Sequence, residues 1–250
     1  MRIHYNSLII LGVLISWQLP ATAGCDDPPA PKVNWYGCDL KQRDFSNQDL
    51  RHAILREADL AGASFQNSNL SGADLEGANL QHAKLTGSRL DNARLVGADL
   101  SDADLQGASF HKARFDRALL HRANLEGCKG DNSRFYDSKL ETARFNHCHL
   151  ASSNFEQAII NGSDFSDAMM ERAVVSKAMA ESTVFRNAGL QYAQFESTTL
   201  TDSDFSGADL TRAGMVNADI TGITLSNTLL SNTNWVDRKR CKPGSIDVCR

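Results

Sequence analysis

From Leu40 to Trp235 an apolar residue returns at nearly every fifth position, among them Leu50, Leu60, Phe65, Leu75, Leu100, Phe155, Phe205 and Leu210, and no insertion breaks the register. Two residues before each stands a small one, usually alanine, as at Ala53, Ala73, Ala98, Ala143 and Ala208, with Ser, Thr or Cys as substitutes. The other three positions are mostly polar or glycine. Helices need apolar residues recurring at about 3.6 and strands at about 2, so neither explains this period. A solenoid does: each five-residue unit forms one side of a square coil, the small and the large apolar residue point inward, and the rest face water. One unit buries too little to be stable alone, so the coils must stack.

Phenylalanine tests the square. Four sides place residues twenty apart above one another, and Phe45, Phe65, Phe145, Phe165, Phe185 and Phe205 fall in one such column. Phe115, Phe135, Phe155 and Phe195 fall in the column two sides away, leaving only Phe110 elsewhere. Rings on opposite sides can meet across the axis and stack along it. Trp35 and Trp235 share a column ten coils apart, which predicts an aromatic plug near each end. At roughly 4.8 Å per coil the rod should be about 48 Å long.

Units such as Ala73-Asp74-Leu75-Glu76-Gly77 and Ala208-Asp209-Leu210-Thr211-Arg212 give an A-[DN]-L-x-x pattern from Cys38 to Asn234, about four fifths of the chain. That pattern resembles the pentapeptide repeat family. The resemblance implies an all-β fold, a right-handed quadrilateral β-helix here of about ten coils, whose sides are very short strands and turns. Residues 24–37 and 235–250 resemble the end caps of exported members, which cover apolar side chains and unpaired backbone at the end coils.

Ahead of the repeat, residues 1–23 read as a secretory signal peptide: an apolar run from Ser7 to Trp17 precedes Ala21-Thr22-Ala23, a small-residue cleavage pattern. The run is short for a bilayer span, and no later segment approaches the length of one, so no transmembrane segment is expected. A periplasmic or secreted protein follows. Cys25, preceded by Ala23-Gly24, also fits the lipobox of a membrane-anchored lipoprotein, although Thr22 stands where that motif prefers Leu.

Export changes the meaning of the six cysteines, because disulfides persist outside the cytosol. Cys241 and Cys249 enclose a short Pro-Gly loop and form the expected disulfide of the C-terminal cap; Cys25 and Cys38 are the matching pair at the other end, in competition with lipidation. Cys128 and Cys148 occupy inward small positions on successive coils. They read better as compact buried substitutes for Ala than as a bonded pair, because in-register neighbours offer poor disulfide geometry.

Candidate chemistry is sparse. In His147-Cys148-His149 the periodicity turns the cysteine inward and both histidines outward, so the three cannot converge on one metal ion. No nucleophile elbow, phosphate loop or zinc-protease motif appears, and paired carboxylates such as Asp99 and Asp104 belong to the repeat's polar position rather than a cleft. Neither catalytic residues nor a cofactor is therefore expected. A hydrophobic content of 42% suits a folded core, and a net charge of -4 without a basic bias gives no reason to expect a nucleic-acid ligand.

Departures from the repeat are the better places to look for function. Gly130 and Ala180 stand where a large apolar residue belongs, and should leave less core filling. Ile159, Met169, Val174, Met179 and Val184 stand where a polar outward residue belongs, and read as one exposed apolar zone, a candidate interface for a partner protein or a homodimer unless the C-terminal tail covers it. Arg94, Arg114 and Arg134 form a basic column, a candidate site for an anionic envelope polymer, although Asp91, Asp116 and Asp131 are interleaved and favour a solvated ion-pair face.

These features lead to a non-enzymatic exported scaffold that binds a protein or envelope polymer along its sides. The family also implies an alternative, a DNA mimic that binds and protects a type II topoisomerase such as gyrase, with Asp39, Asp44, Asp49, Asp59, Asp74, Asp99 and Asp104 as its charge. The leader and the central arginines argue against it.

Overall fold

The computed structural model describes residues 24–250; the signal-peptide reading of residues 1–23 lies outside the described residues. The chain is a four-sided repeat solenoid. Parallel bridges join each outward residue to the one twenty positions later, and one column runs unbroken from Asn34 through Ile54, Asp74, Arg94 and onward to Asn234. Among the described residues no helix is long and apolar enough to cross a membrane.

The backbone explains why five residues make a side. At each corner the N–H of the small inward residue bonds to the carbonyl three positions earlier, as Ala53 does to Leu50 at 3.0 Å. The second residue of that turn has positive φ, for example His52 at 57° and Gly72 at 67°. This is the type II pattern, which favours glycine and tolerates asparagine. Three further N–H groups per unit reach neighbouring coils: Ile54 donates to Val33 at 2.8 Å, Leu55 to Asp74 at 2.7 Å and Glu57 to Glu76 at 2.9 Å.

One N–H per unit remains, that of the first corner residue, and it accounts for the Asp/Asn preference of the repeat. In units that carry Asp or Asn two positions earlier, that side chain accepts it: Asp44 from Ser46 at 2.9 Å, Asn69 from Ser71 at 3.1 Å, Asp209 from Thr211 at 2.9 Å. The repeat position that looked merely polar is an Asx cap.

Inside, the two aromatic columns stack along the axis. Phe115, Phe135 and Phe155 lie nearly parallel at 4.8 and 4.7 Å, and Phe145 and Phe165 at 4.8 Å. Edge-to-face contacts such as Phe135–Phe145 at 5.7 Å and Phe185–Phe195 at 5.7 Å tie the columns together. Most Ser and Thr at small inward positions donate their hydroxyls to backbone carbonyls, as Ser163 does to Leu140 at 2.6 Å, while the buried Ser88 and Ser133 hydroxyls have no protein partner among the described residues.

Gly130 leaves no hole. Phe110, directly beneath it in the same column, fills the space: a Cβ on Gly130 would come within 2.7 Å of Phe110 Cδ2 and nearer still to Cε2. The ring also meets Phe115 and Phe135 edge-on, at 5.3 and 6.1 Å. Ala180 is fully buried.

Each end is closed. At the N-terminal end Cys25 is bonded to Cys38, and buried Trp35 lies 4.9 Å from the Phe45 ring. At the other end Cys241 is bonded to Cys249, and the tail folds back through antiparallel bridges, Leu229 to Ile246 and Asn234 to Arg240. Cys128 and Cys148 depart from expectation: they are bonded, with Cα atoms 4.6 Å apart. Coil spacing itself brings stacked inward residues into disulfide range, which corrects the reading of two separate buried thiols.

Candidate binding surfaces

The five apolar outward residues do not form one patch. Residues five apart sit on successive sides, so Met169, Val174, Met179 and Val184 occupy four different sides of one coil and form a girdle. Ile159 lies directly beneath Met179, bridged to it, and these two make the apolar pair on one side. Met169 and Met179 are about half exposed, at 55% and 49%. The tail does not cover them, because its hydrogen bonds to the coils go to Asn217 and residues 228–235.

The girdle also changes the backbone. An apolar side chain cannot cap its corner, and the N–H groups of Asn161, Glu171, Ser176 and Arg186 have no protein acceptor among the described residues. Glu181 is rescued by Asn161 Oδ1 from the coil below, at 2.9 Å.

Arg94, Arg114 and Arg134 do stack in one column, bridged in sequence. Their charge is answered locally. Arg94 pairs with Glu76 at 2.7 Å, while Arg114 and Arg134 reach the same carboxylate, buried Asp116, at 3.0 and 3.1 Å. The column is an ion-pair face, with little free positive charge for an anionic polymer.

The carboxylates invoked for charge mimicry are likewise committed. Asp39, Asp44, Asp49, Asp59, Asp74, Asp99 and Asp104 each accept the N–H two residues ahead. His147 and His149 are exposed, while Cys148 between them is buried and bonded to Cys128. Among the described residues no three His, Cys, Asp or Glu side chains gather as a metal group.

Capping carries a pH consequence. Asp219 accepts from the Thr221 hydroxyl at 2.7 Å and from its N–H at 3.1 Å, which hold its carboxyl below the usual range. The Ser46 hydroxyl and N–H do the same for Asp44, and Arg51 for Asp49. A carboxyl whose folded pKa is depressed contributes stability above the unfolded value, about 3.9, and loses it as pH falls through the folded value. The urea midpoint should therefore hold near neutrality and fall below about pH 4; a midpoint that rises on acidification would show that the caps do not stabilise the ionised form.

A second surface escaped the sequence reading. Arg172, Tyr192 and Arg212 stack at one corner, with both guanidiniums 5.5 Å from the ring centroid. Their spacing of twenty is visible in the sequence, and column arithmetic would have found them. Arg240, which joins them from the tail, has no such signal.

The described residues match two family models. One, described as pentapeptide repeats, matches residues 38–77, 73–111 and 188–227, and another, a pentapeptide repeat region, matches 98–174. No curated protein matches the chain. Among solved structures the chain is similar to HetL, a pentapeptide repeat protein involved in heterocyst differentiation regulation from the cyanobacterium Nostoc sp. strain PCC 7120. The two share 24% identity at a TM-score of 0.59, over 84% of this chain and 94% of that one. This likeness shows the fold alone.

QnrB1, a plasmid-mediated fluoroquinolone resistance protein, matches more loosely: 17% identity and a TM-score of 0.41 over 78% of this chain and 94% of that one. A pentapeptide repeat protein from the Arabidopsis thaliana thylakoid lumen shares 35% identity over 44% of this chain and 66% of that one, at a TM-score of 0.23. Neither bears on function here.

Proposed function

Since the chain belongs to the pentapeptide repeat family, we propose that it is a non-enzymatic exported scaffold or binding protein, acting through the sides of a right-handed quadrilateral β-helix of about ten coils. The mature protein begins at the cap of residues 24–37, continues through the coils of 38–234 and ends in the cap of 235–250. The observation that carries the reading is the girdle, where five units give up their Asx caps for apolar side chains that stand outward. Elsewhere the outward position is apolar only singly, at Ile54, Leu119 and Leu229, whereas here four successive units carry Met or Val. Three disulfides suit an oxidising compartment and support export.

The DNA-mimic alternative has less support. Arginines interrupt the acidic column at Arg94, Arg114 and Arg134. A mimic of a duplex needs continuous negative charge.

Intact mass with cell fractionation tests the exported part: expression in a Gram-negative host should yield a soluble periplasmic chain that has lost residues 1–23 and six cysteine hydrogens. An uncleaved cytosolic chain would sink it. Sedimentation velocity tests the side: if the chain self-associates through this face, wild type should sediment as a larger species than Ile159→Asp/Met179→Asp. Equal sedimentation with all partners tried would remove this pair as the interface.

A further inference from the structure

The C-terminal corner holds the free positive charge that the central column lacks. Around it the ion pairs are Arg172–Glu171, Arg186–Asp204 and Lys239–Asp237, and among the described residues Arg212 and Arg240 take part in none. Both are exposed. They face a cleft of about 390 Å³ lined by Tyr192, Asn232 and Asn234 as well. Where it widens along the side, its wall includes Gln194, Glu196 and Gly214.

Each wall has a physical reason. Tyr192 lies between Arg172 one coil below and Arg212 one coil above, and its hydroxyl accepts from Arg212. The ring faces are thus occupied, and the tyrosine holds the Arg212 fork in place rather than offering a stacking platform. The antiparallel bridge to Asn234 seats Arg240 directly above the outward column. Gly214 stands in that column without a side chain, and a Cβ there would overlap the Glu196 carboxylate. The missing side chain lets the Glu196 carboxylate lie over the column as the floor of the cleft.

The donor set is mixed. Two unpaired guanidiniums suit carboxylates, which they bind with two parallel N–H bonds. The amides of Asn232, Asn234 and Gln194 donate and accept, and Glu196, held by the Ser176 hydroxyl at 3.0 Å, can only accept. A simple anion would use the arginines and be repelled by Glu196. A ligand carrying carboxylates together with hydroxyl donors satisfies all of them.

The geometry points to a binding site for an acidic oligosaccharide of the uronic-acid class, its carboxylates on Arg212 and Arg240 and its hydroxyls on Asn232, Asn234 and Glu196. This site stands apart from the girdle and does not depend on it. It also relocates anion binding from Arg94, Arg114 and Arg134 to an end of the rod where the tail completes the wall.

Calorimetric titration of the oxidised full chain with tetragalacturonate at low salt tests it. Tetragalacturonate should bind, maltotetraose should not, and rising salt should weaken binding. Arg212→Ala and Arg240→Ala should each weaken it by about tenfold, the usual scale of one charged hydrogen-bonding partner. Arg212→Lys, which keeps charge but loses the fork, should fall between. Because both residues are exposed, an unchanged melting midpoint serves as the folding control. The proposal is overturned if tetragalacturonate does not bind, if inorganic phosphate binds as tightly, or if only Arg94→Ala/Arg114→Ala/Arg134→Ala removes binding.

Discussion

Gly130→Leu should destabilise the protein by about 3 kcal/mol, the upper end of the cost of overpacking a close-packed core. The new side chain has nowhere to go, because the Phe110 ring already occupies the space above its own coil. Phe110→Ala should cost about 3–5 kcal/mol, since it empties two coils' worth of filling at once. The pair Phe110→Leu/Gly130→Leu restores the leucine seen elsewhere in the column, at Leu70, Leu90 and Leu150, and should stay within about 1 kcal/mol of wild type. Urea midpoints of the single and double variants give the coupling directly. Additive losses would mean that Phe110 and Gly130 are not one packing unit.

Cys128→Ala/Cys148→Ala should lower stability by about 3 kcal/mol, the chain-entropy value for releasing a loop of this length. The bond spans a sequence separation of 20 and staples one coil to the next near the middle of the rod. Alanine is the residue this inward column normally carries, as at Ala108 and Ala168, so the substitution leaves packing nearly intact and isolates the cross-link. Unfolding with and without reductant checks it: the gap between wild type and the double variant should be present when both are oxidised and close when both are reduced, since reductant opens the two cap disulfides in each. A double variant as stable as oxidised wild type would show that coil stacking alone confines this segment, as a solenoid with strong neighbour interfaces could.

Several features were legible because they obey the period. The two phenylalanine columns, the inward alanines and the basic column all follow from counting in fives and twenties, and the structure stacks Phe135 on Phe155 and Arg114 on Arg134 as that count requires. The role of Asp and Asn was not legible. Their polarity is consistent with simple exposure, and only the backbone reveals that Asp74 accepts an N–H no carbonyl reaches.

The apolar zone illustrates the opposite error. Met169, Val174, Met179 and Val184 are close in sequence, yet every fifth residue turns a corner, so proximity along the chain becomes dispersion around the rod. Only Ile159 and Met179, twenty apart, share a side.

What the sequence determined by itself was the period, and with it the coil, the core columns and the side on which each outward residue stands, because a repeat without insertions leaves no freedom in register. The tertiary structure decided what lies between columns and beyond the last coil. Phe110 rises into the space that Gly130 leaves, Asp116 serves two arginines, Cys128 meets Cys148, and Arg240 returns on the tail to stand above Asn234. The spacing of twenty sets which residues face each other across coils, but whether they overlap, share a charge or bond depends on distances between side chains, and the fold-back that brings Arg240 has no period at all.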